Sequence, residues 1–265
     1  MYETEPRQIG GVLDAGVRLY RGAFKGVAAT AAKGFGALFI VEVVSEFALG
    51  VSTMSYDAST DPSGAQAVTY LAFVFFVLLP LTTVTSGAVV QHLHAFAEGE
   101  AEPATGAYSR ALRRVPALTG YFILYFLAVM VGLVLFVIPG LWLSIAFAMG
   151  FYLIFTEGLG PIDALKRSRA IVEGNWFRTA VVATVGTIMA LVIQVGVVQL
   201  PAGVAGYLAA GGTEIGTVWL VGLNFLNAIA QVLAVPLAVA LGLALTRDLV
   251  LRRSGDDLQA RLDAA

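Results

Sequence analysis

Two carboxylates stand inside the first long apolar segment of the chain, where an ionisable group is unusual. Glu42 and Glu46 are four residues apart, so on a helix they share one face. A carboxylate in the hydrocarbon of a bilayer costs about 3 kcal/mol or more, so such groups usually face a bundle interior or a wet cavity. Candidate partners at similar depth are Gln194, Asn224 and Asn227, and Gln231 shares a helix face with the two asparagines.

This polar cluster allows two interpretations, and the sequence leaves both open. In the first, it forms a path for a proton or a small solute across the membrane. In the second, the amides and carboxylates hydrogen bond between helices, with one glutamate protonated, and only hold the bundle together.

The longest charged interruption between apolar segments covers residues 158–178. Pro161 suits the first position of a helix and Gly174 suits the position just past its end. At 100° per residue, the apolar and the charged side chains of residues 161–173 fall on opposite halves of this helix. We expect the helix to lie along the membrane surface with Trp176 at headgroup depth. Its basic residues are Lys166, Arg167 and Arg169, and Arg178 follows them.

Two further stretches have the same amphipathic pattern, residues 9–25 and residues 104–115. The second carries three basic residues, Arg110, Arg113 and Arg114. Basic side chains at a membrane surface attract anionic lipid head groups by about 1 kcal/mol each. The alternative is that these charges only fix the orientation of the chain.

The composition assigns the chain to a broad class. It has 265 residues, 58% of them hydrophobic and 13% charged, and the charged fraction is roughly half that of a soluble domain. We predict an all-α polytopic membrane bundle that forms a single domain over residues 1–265. Six transmembrane helices are expected at about 27–51, 68–90, 117–138, 141–156, 176–200 and 216–246. Loops are expected at 52–67 and 201–215, and a tight turn at Pro139-Gly140.

The basic residues predict the orientation. All but one of the 16 Lys and Arg residues precede the first span, occupy the second and fourth loops or follow the last span. The exception, Lys33, lies near the start of the first span and can reach the same side. By the positive-inside rule, both termini and all three amphipathic helices are therefore cytoplasmic.

A pattern of amphipathic helix, span, turn and span occurs three times. The units cover about 9–97, 104–157 and 161–246, and a charged tail follows at 247–265. Similarity between the units is one of pattern, so a threefold repeat is a hypothesis beside the simpler one of six spans with short loops.

Several kinds of chemistry have no residues to support them. The chain has no cysteine, and His92 and His94 point about 200° apart on a helix, which is unsuitable for a metal site. No nucleophile elbow, Walker loop or dinucleotide motif is present. We therefore predict no catalytic residue, no metal, no cofactor and no nucleic-acid partner, and a protein that is not an enzyme.

One region resembles a known family. The sequence Ile138-Pro-Gly-Leu141, then Glu157-Gly-Leu-Gly-Pro161, and then a scattered set of residues resemble the membrane domain associated with glycerophosphoryl diester phosphodiesterases and the related YciC-type bacterial membrane proteins. The resemblance implies a mostly six-span domain in the cytoplasmic membrane of a prokaryote. In some relatives a soluble phosphodiesterase domain is attached, and no such domain is expected here. The scattered residues are Ala164, Leu165, Arg167, Ser168, Val172, Gly174, Trp176 and Arg178.

Together these patterns favour a non-enzymatic membrane protein that binds anionic lipid head groups, or a membrane partner such as a second copy of itself, through its basic helices. The alternative is a transporter or channel for ions or small solutes that uses the intramembrane polar cluster. An intramembrane enzyme acting on lipids is a weaker third interpretation, because no nucleophile and base converge in the sequence.

Overall fold

The fold is helical throughout the residues that the computed structural model describes, which are 8–49, 64–100, 104–211 and 217–263. Two π-helical turns, Val74–Leu78 and Val195–Gln199, join α2 to α3 and α9 to α10. The helices are α1 Ile9–Leu49, α2 Ala65–Phe73, α3 Leu79–Glu98, α4 Ala104–Arg113, α5 Val115–Leu135, α6 Val137–Phe147, α7 Gly150–Thr156, α8 Pro161–Val172, α9 Trp176–Gln194, α10 Leu200–Ala210 and α11 Thr217–Asp263.

Six helical segments in this part of the chain are long and apolar enough to cross a membrane. They confirm the predicted all-α class and the number and order of the predicted spans, and they indicate a multi-pass membrane protein. Most of the loop predicted at 52–67 lies outside the described residues, and residues 201–210, predicted as loop, are helical. The segments are Ile9–Phe47, Ala67–Glu98, Val115–Leu135, Val137–Thr156, Trp176–Leu208 and Val218–Gly255.

The turn between α5 and α6 lies earlier than predicted. The chain reverses at Phe136, whose backbone is extended at φ −160° and ψ 146°, and Pro139-Gly140 belongs to the first turn of α6. Proline is tolerated there because the first amide groups of a helix need no intrahelical acceptor. A methyl group on Gly132 would lie 2.9 Å from the Gly140 Cα, so glycine serves close packing of α5 on α6 rather than the turn.

The first amphipathic stretch is not a separate helix. Residues 9–25 are the opening turns of α1, which continues without a break to Leu49. Its predicted faces are present, since Val12 and Leu19 are buried while Arg18 and Arg21 are exposed. The apolar face packs against protein, chiefly α11 and α3.

Glycines on α1 set how closely its neighbours approach. A methyl group on Gly16 would lie 2.9 Å from the Leu241 Cα, which is backbone and cannot move aside as a side chain can. A methyl group on Gly26 would meet His92 at 2.6 Å, again inside van der Waals contact. The close packing that small residues permit in membrane bundles is therefore present along α1.

The bundle buries its largest side chains at one end. In the near half, formed by residues 9–38, 84–97, 115–121, 176–182 and 234–255 with α4, α7 and α8, large side chains are buried in two adjoining clusters. The rest is the far half, and there Phe76 is 82% exposed and Val218 is 88% exposed. Apolar side chains that protein leaves uncovered along spanning helices are the surface that lipid chains or other membrane helices cover.

We predict that Gly16→Ala lowers the free energy of unfolding by about 1–3 kcal/mol, because the new methyl group overlaps the α11 backbone. Gly36→Ala is the matched control on the same helix, since a methyl group there has no atom of another element within 4 Å. It should raise stability by about 0.5–1 kcal/mol through helix propensity. Unfolding in detergent, followed by tryptophan fluorescence, measures both, and equal shifts of the same sign would contradict the packing described.

Candidate functional site

Helix α8 is anchored to the protein by its apolar side. It begins at Pro161 and ends at Val172, and Gly174 has φ 77°, as the sequence pattern predicted. Buried Ser168 donates its hydroxyl to the Ala146 carbonyl at 2.8 Å and accepts the Met149 amide at 3.1 Å. These backbone groups lie at the break between α6 and α7, so a side chain of α8 satisfies the ends of two other helices.

The buried half of α8 leaves its charged half facing outwards. Lys166 and Arg169 are exposed. Ile162, which the sequence pattern placed on the apolar half, is 56% exposed and lies on the same face as these two residues. Helix α4 has the same arrangement, since Ala107 and Ala111 are buried while the basic side chains face out. The exposed basic residues of the two helices are Arg110, Arg113, Lys166 and Arg169.

Three of the basic residues predicted to meet head groups are instead engaged within the protein. Arg114 donates through Nη1 to the Gly158 carbonyl at 2.9 Å, which joins the start of α5 to the loop before α8. The Arg167 Nε lies 3.3 Å from the Glu157 Oε2. The third, Arg178, belongs to a buried ion pair.

Arg178 and Arg252 share one carboxylate oxygen. Each donates its Nε to the Asp248 Oδ2 at 3.0 Å, and the Asp248 side chain is only 5% exposed. A buried carboxylate is stable when paired and hydrogen bonded in this way, and it then ties its elements together. Here it joins the start of α9 to α11, so Arg178 has a structural partner that the sequence analysis did not identify.

A sequence signal for Asp248 was available. Asp248 and Arg252 are four residues apart, the spacing of an ion pair on a helix. Leu245 and Leu249, both almost fully buried, continue the apolar periodicity into the segment predicted as a charged tail. That segment is the end of α11, which runs to Asp263.

A small crevice opens beside the C-terminal end of α8. The Trp176 Nε1 donates to the Trp142 carbonyl at 3.1 Å, and the Arg169 Cζ lies 5.8 Å from the centre of a Trp142 ring. Glu173 completes the wall of a cavity of about 100 Å³. Because ligand pockets usually span about 300–1,000 Å³, this one suits a few atoms beside a cation, at the aromatic level of a membrane interface.

The predicted intramembrane cluster is only partly assembled. The Gln194 Nε2 donates to the Asn227 Oδ1 at 2.8 Å, which links α9 to α11. The sequence had placed both amides beside Glu42 and Glu46. The side chains of Glu42, Glu46 and Gln231 are half-buried. Within the described residues, neither glutamate is hydrogen bonded to the amide pair.

Two buried oxygens of this cluster have no hydrogen-bond partner among the described residues. They are the Glu46 Oε2 and the Oδ1 of Asn224, a residue that is 1% exposed. An unpaired buried acceptor costs about 1–3 kcal/mol, so each oxygen is a place where a hydrogen-bond donor or a small cation would be stabilised. The π-helical turn Val195–Gln199 follows Gln194 directly, and such turns are frequent at functional sites.

A second polar cavity in the near half was not anticipated from the sequence. Its volume is about 240 Å³, and the ends of α3 and α7 meet α11 around it. Its lining includes His94, Glu98, Glu157 and Arg247. Because two carboxylates face a single guanidinium here, the formal charge of the lining is negative with the histidine neutral, and the cavity is less suited to an anion than the exposed faces of α4 and α8.

The described ranges contain no group of three His, Asp or Glu side chains arranged to hold a metal ion. The chain matches no protein-family model, no curated protein and no solved structure. The resemblance to the membrane domain associated with glycerophosphoryl diester phosphodiesterases therefore remains a prediction from the residues, and function is argued from the geometry.

We predict that Asp248→Asn lowers the free energy of unfolding by about 3 kcal/mol, because it leaves two guanidinium groups facing each other in a largely buried place. The matched control is Asp14→Asn, which removes an exposed ion pair with Arg18 and should cost less than about 1 kcal/mol. Denaturation in detergent compares the two. A loss at Asp248 no larger than at Asp14 would show that this ion pair does not hold α9 to α11.

Proposed function

We propose that the protein binds anionic lipid head groups through the exposed basic faces of α4 and α8, without catalysing a reaction. One observation carries this proposal. Both helices bury their apolar sides against protein, so Arg110, Arg113, Lys166 and Arg169 face outwards.

Apolar side chains lie beside these charges. Leu112 is exposed on α4, Ile162 is exposed on α8, and Phe177 is 73% exposed just beyond α8. A surface that combines basic side chains with protruding apolar ones matches the boundary between head groups and acyl chains. A soluble acidic partner would meet the charges but would leave the apolar side chains in water, so we favour lipid.

The proposal includes an orientation and a location. The positive-inside rule supports placing the near half, with α4, α8 and both termini, at the cytoplasmic side. That side of a prokaryotic inner membrane carries anionic lipids, which attract basic segments. The exposed far half would then lie in the bilayer, where lipid or a second membrane protein covers it.

The double variant Lys166→Gln with Arg169→Gln should bind anionic lipid about thirtyfold more weakly and retain less of it, since each of the two charges contributes on the order of 1 kcal/mol near a membrane surface. Arg18→Gln with Arg21→Gln is the matched control, because it removes the same charge from an exposed face of α1. Mass spectrometry of phosphatidylglycerol that copurifies with each protein measures the effect. An unchanged lipid content in the α8 variant would refute the proposal.

A second candidate function rests on the two buried oxygens of Glu46 and Asn224. We propose as the alternative that the intramembrane cluster carries protons or small cations, with Glu42 and Glu46 as the ionisable groups. Acceptor oxygens without a hydrogen-bond donor stabilise a cation nearby, and carboxylates within membranes commonly mark ion pathways.

In liposomes, proton or sodium flux through the protein should fall to background in the variant Glu42→Gln with Glu46→Gln. Glu157→Gln provides a control, since it neutralises a carboxylate at the other end of the bundle. A pH-sensitive or sodium-sensitive dye inside the liposomes records the flux. Flux in the double variant equal to that of the unaltered protein would exclude these glutamates from any pathway.

A further inference from the structure

A long apolar groove runs between α3 and α5 on the outside of the bundle. Its volume is about 470 Å³, which is within the usual size range of ligand sites. On the α3 side the walls come from Phe75, Leu79 and Thr83. The two helices diverge around the groove, because the buried face of α5, with Tyr121, packs on α6 and α7 instead.

The α5 wall is a single helix face. Val115, Thr119, Phe122 and Phe126 line the groove, and their spacing of four, three and four residues places them in one row. At 1.5 Å per residue the row is about 16 Å long. The groove therefore runs along the spanning direction, from the start of α5 towards the far half.

Polarity changes in one direction along this groove. Arg113, exposed at the end of α4, comes two residues before Val115. Thr83 and Thr119 lie towards this end, and Phe75 and Phe126 line the opposite end. Tyr125 also lines the opposite end, but its hydroxyl is turned to α6, where it donates to the Ser144 carbonyl at 3.3 Å. The order of charge, hydroxyl and hydrocarbon is the order found along a phospholipid, from phosphate through the glycerol esters to the acyl chain.

The dimensions suit a hydrocarbon chain. The groove has a volume of about 470 Å³ along a row about 16 Å long, so it is elongated rather than rounded. An extended acyl chain has this shape.

We propose that the groove between α3 and α5 is a binding site for one anionic phospholipid, with an acyl chain between the helices and its phosphate beside Arg113. This site rests on the proposed function, because Arg113 belongs to the basic face of α4. It goes further in assigning one lipid to one place, whereas binding by Lys166 and Arg169 does not require the groove.

The experiment fills the groove without disturbing the buried core. Thr119 is exposed, so Thr119→Trp places an indole in the groove. Thr187→Trp is the matched control, since Thr187 is an exposed threonine on α9 outside the groove. The protein is stripped of lipid in detergent and titrated with phosphatidylglycerol or with phosphatidylcholine of the same acyl chains, and native mass spectrometry counts the lipids bound.

The unaltered protein should bind one phosphatidylglycerol more tightly than any further lipid. Thr119→Trp should weaken this first binding about tenfold or more, since excluding two methylenes costs about 1.6 kcal/mol, while Thr187→Trp should leave it unchanged. Arg113→Gln should weaken the binding of phosphatidylglycerol about fivefold, so that the protein no longer prefers phosphatidylglycerol to phosphatidylcholine. Unfolding midpoints equal to that of the unaltered protein show that each variant is folded.

Two outcomes would overturn the site. Equal binding by Thr119→Trp and Thr187→Trp would show that no lipid uses the groove, and a loss of lipid confined to Lys166→Gln with Arg169→Gln would then leave the proposed function standing. Loss of a dimer in Thr119→Trp, with lipid binding unchanged, would show that a second copy of the chain occupies the groove. Loss of lipid in the α8 variant, Arg113→Gln and Thr119→Trp together would support both proposals.

Discussion

The approach of α1 to α11 is the contact on which the near half of the bundle depends. At Gly16 the two helices meet so closely that a methyl group would lie 2.7 Å from the Leu241 Cδ2 and 2.9 Å from the Leu241 Cα. α3 packs against the same helix beside Gly26 and Gly34. Helices α4 and α7 then contact this three-helix unit, as when the Tyr108 hydroxyl donates to the Thr30 carbonyl at 2.9 Å. Larger side chains at these glycines would push α3 and α11 away from α1. The packing that orients α4 and α8, and with them their basic side chains, would then be lost.

The sequence was informative about membrane-spanning helices and less informative about what their amphipathic faces contact. Apolar length predicts a span because the lipid interior leaves a backbone no alternative to intrahelical hydrogen bonds. Periodicity shows only that one face is apolar, and either lipid or protein can cover such a face. Residues 9–25 were therefore expected to form a separate amphipathic helix, whereas they are the opening turns of α1 and pack on the bundle. The apolar side of α8 is likewise covered by protein. The tight turn predicted at Pro139-Gly140 was wrong for a related reason. The same two residues suit a tight turn between helices and the first turn of a closely packed helix.

The candidate sites show the same division. Depth and residue type predicted that Gln194 and Asn227 belong to one polar cluster, but as partners of Glu42 and Glu46, whereas the two amides pair with each other. The sequence did not predict the pairing of Arg178 with Asp248, since it joins segments 70 residues apart and only the fold brings them together. Arg110, Arg113, Lys166 and Arg169 are the members of the predicted basic set whose side chains remain exposed. Folding thus selects the residues available to a ligand from a larger set of similar charges.

The π-helical turns at Val74–Leu78 and Val195–Gln199 have a consequence for how the chain tolerates changes in length. A π turn accommodates one residue more than an α turn while the helix on either side keeps its orientation. Each π turn lies in the part of a spanning segment that belongs to the far half. A single-residue deletion within either turn would convert it to regular α-helix and leave the glycine contacts and the ion pair in register. The same deletion in α1 or in the second half of α11 would rotate every later side chain by about 100°, so insertions and deletions should be confined to the two helices that contain these turns.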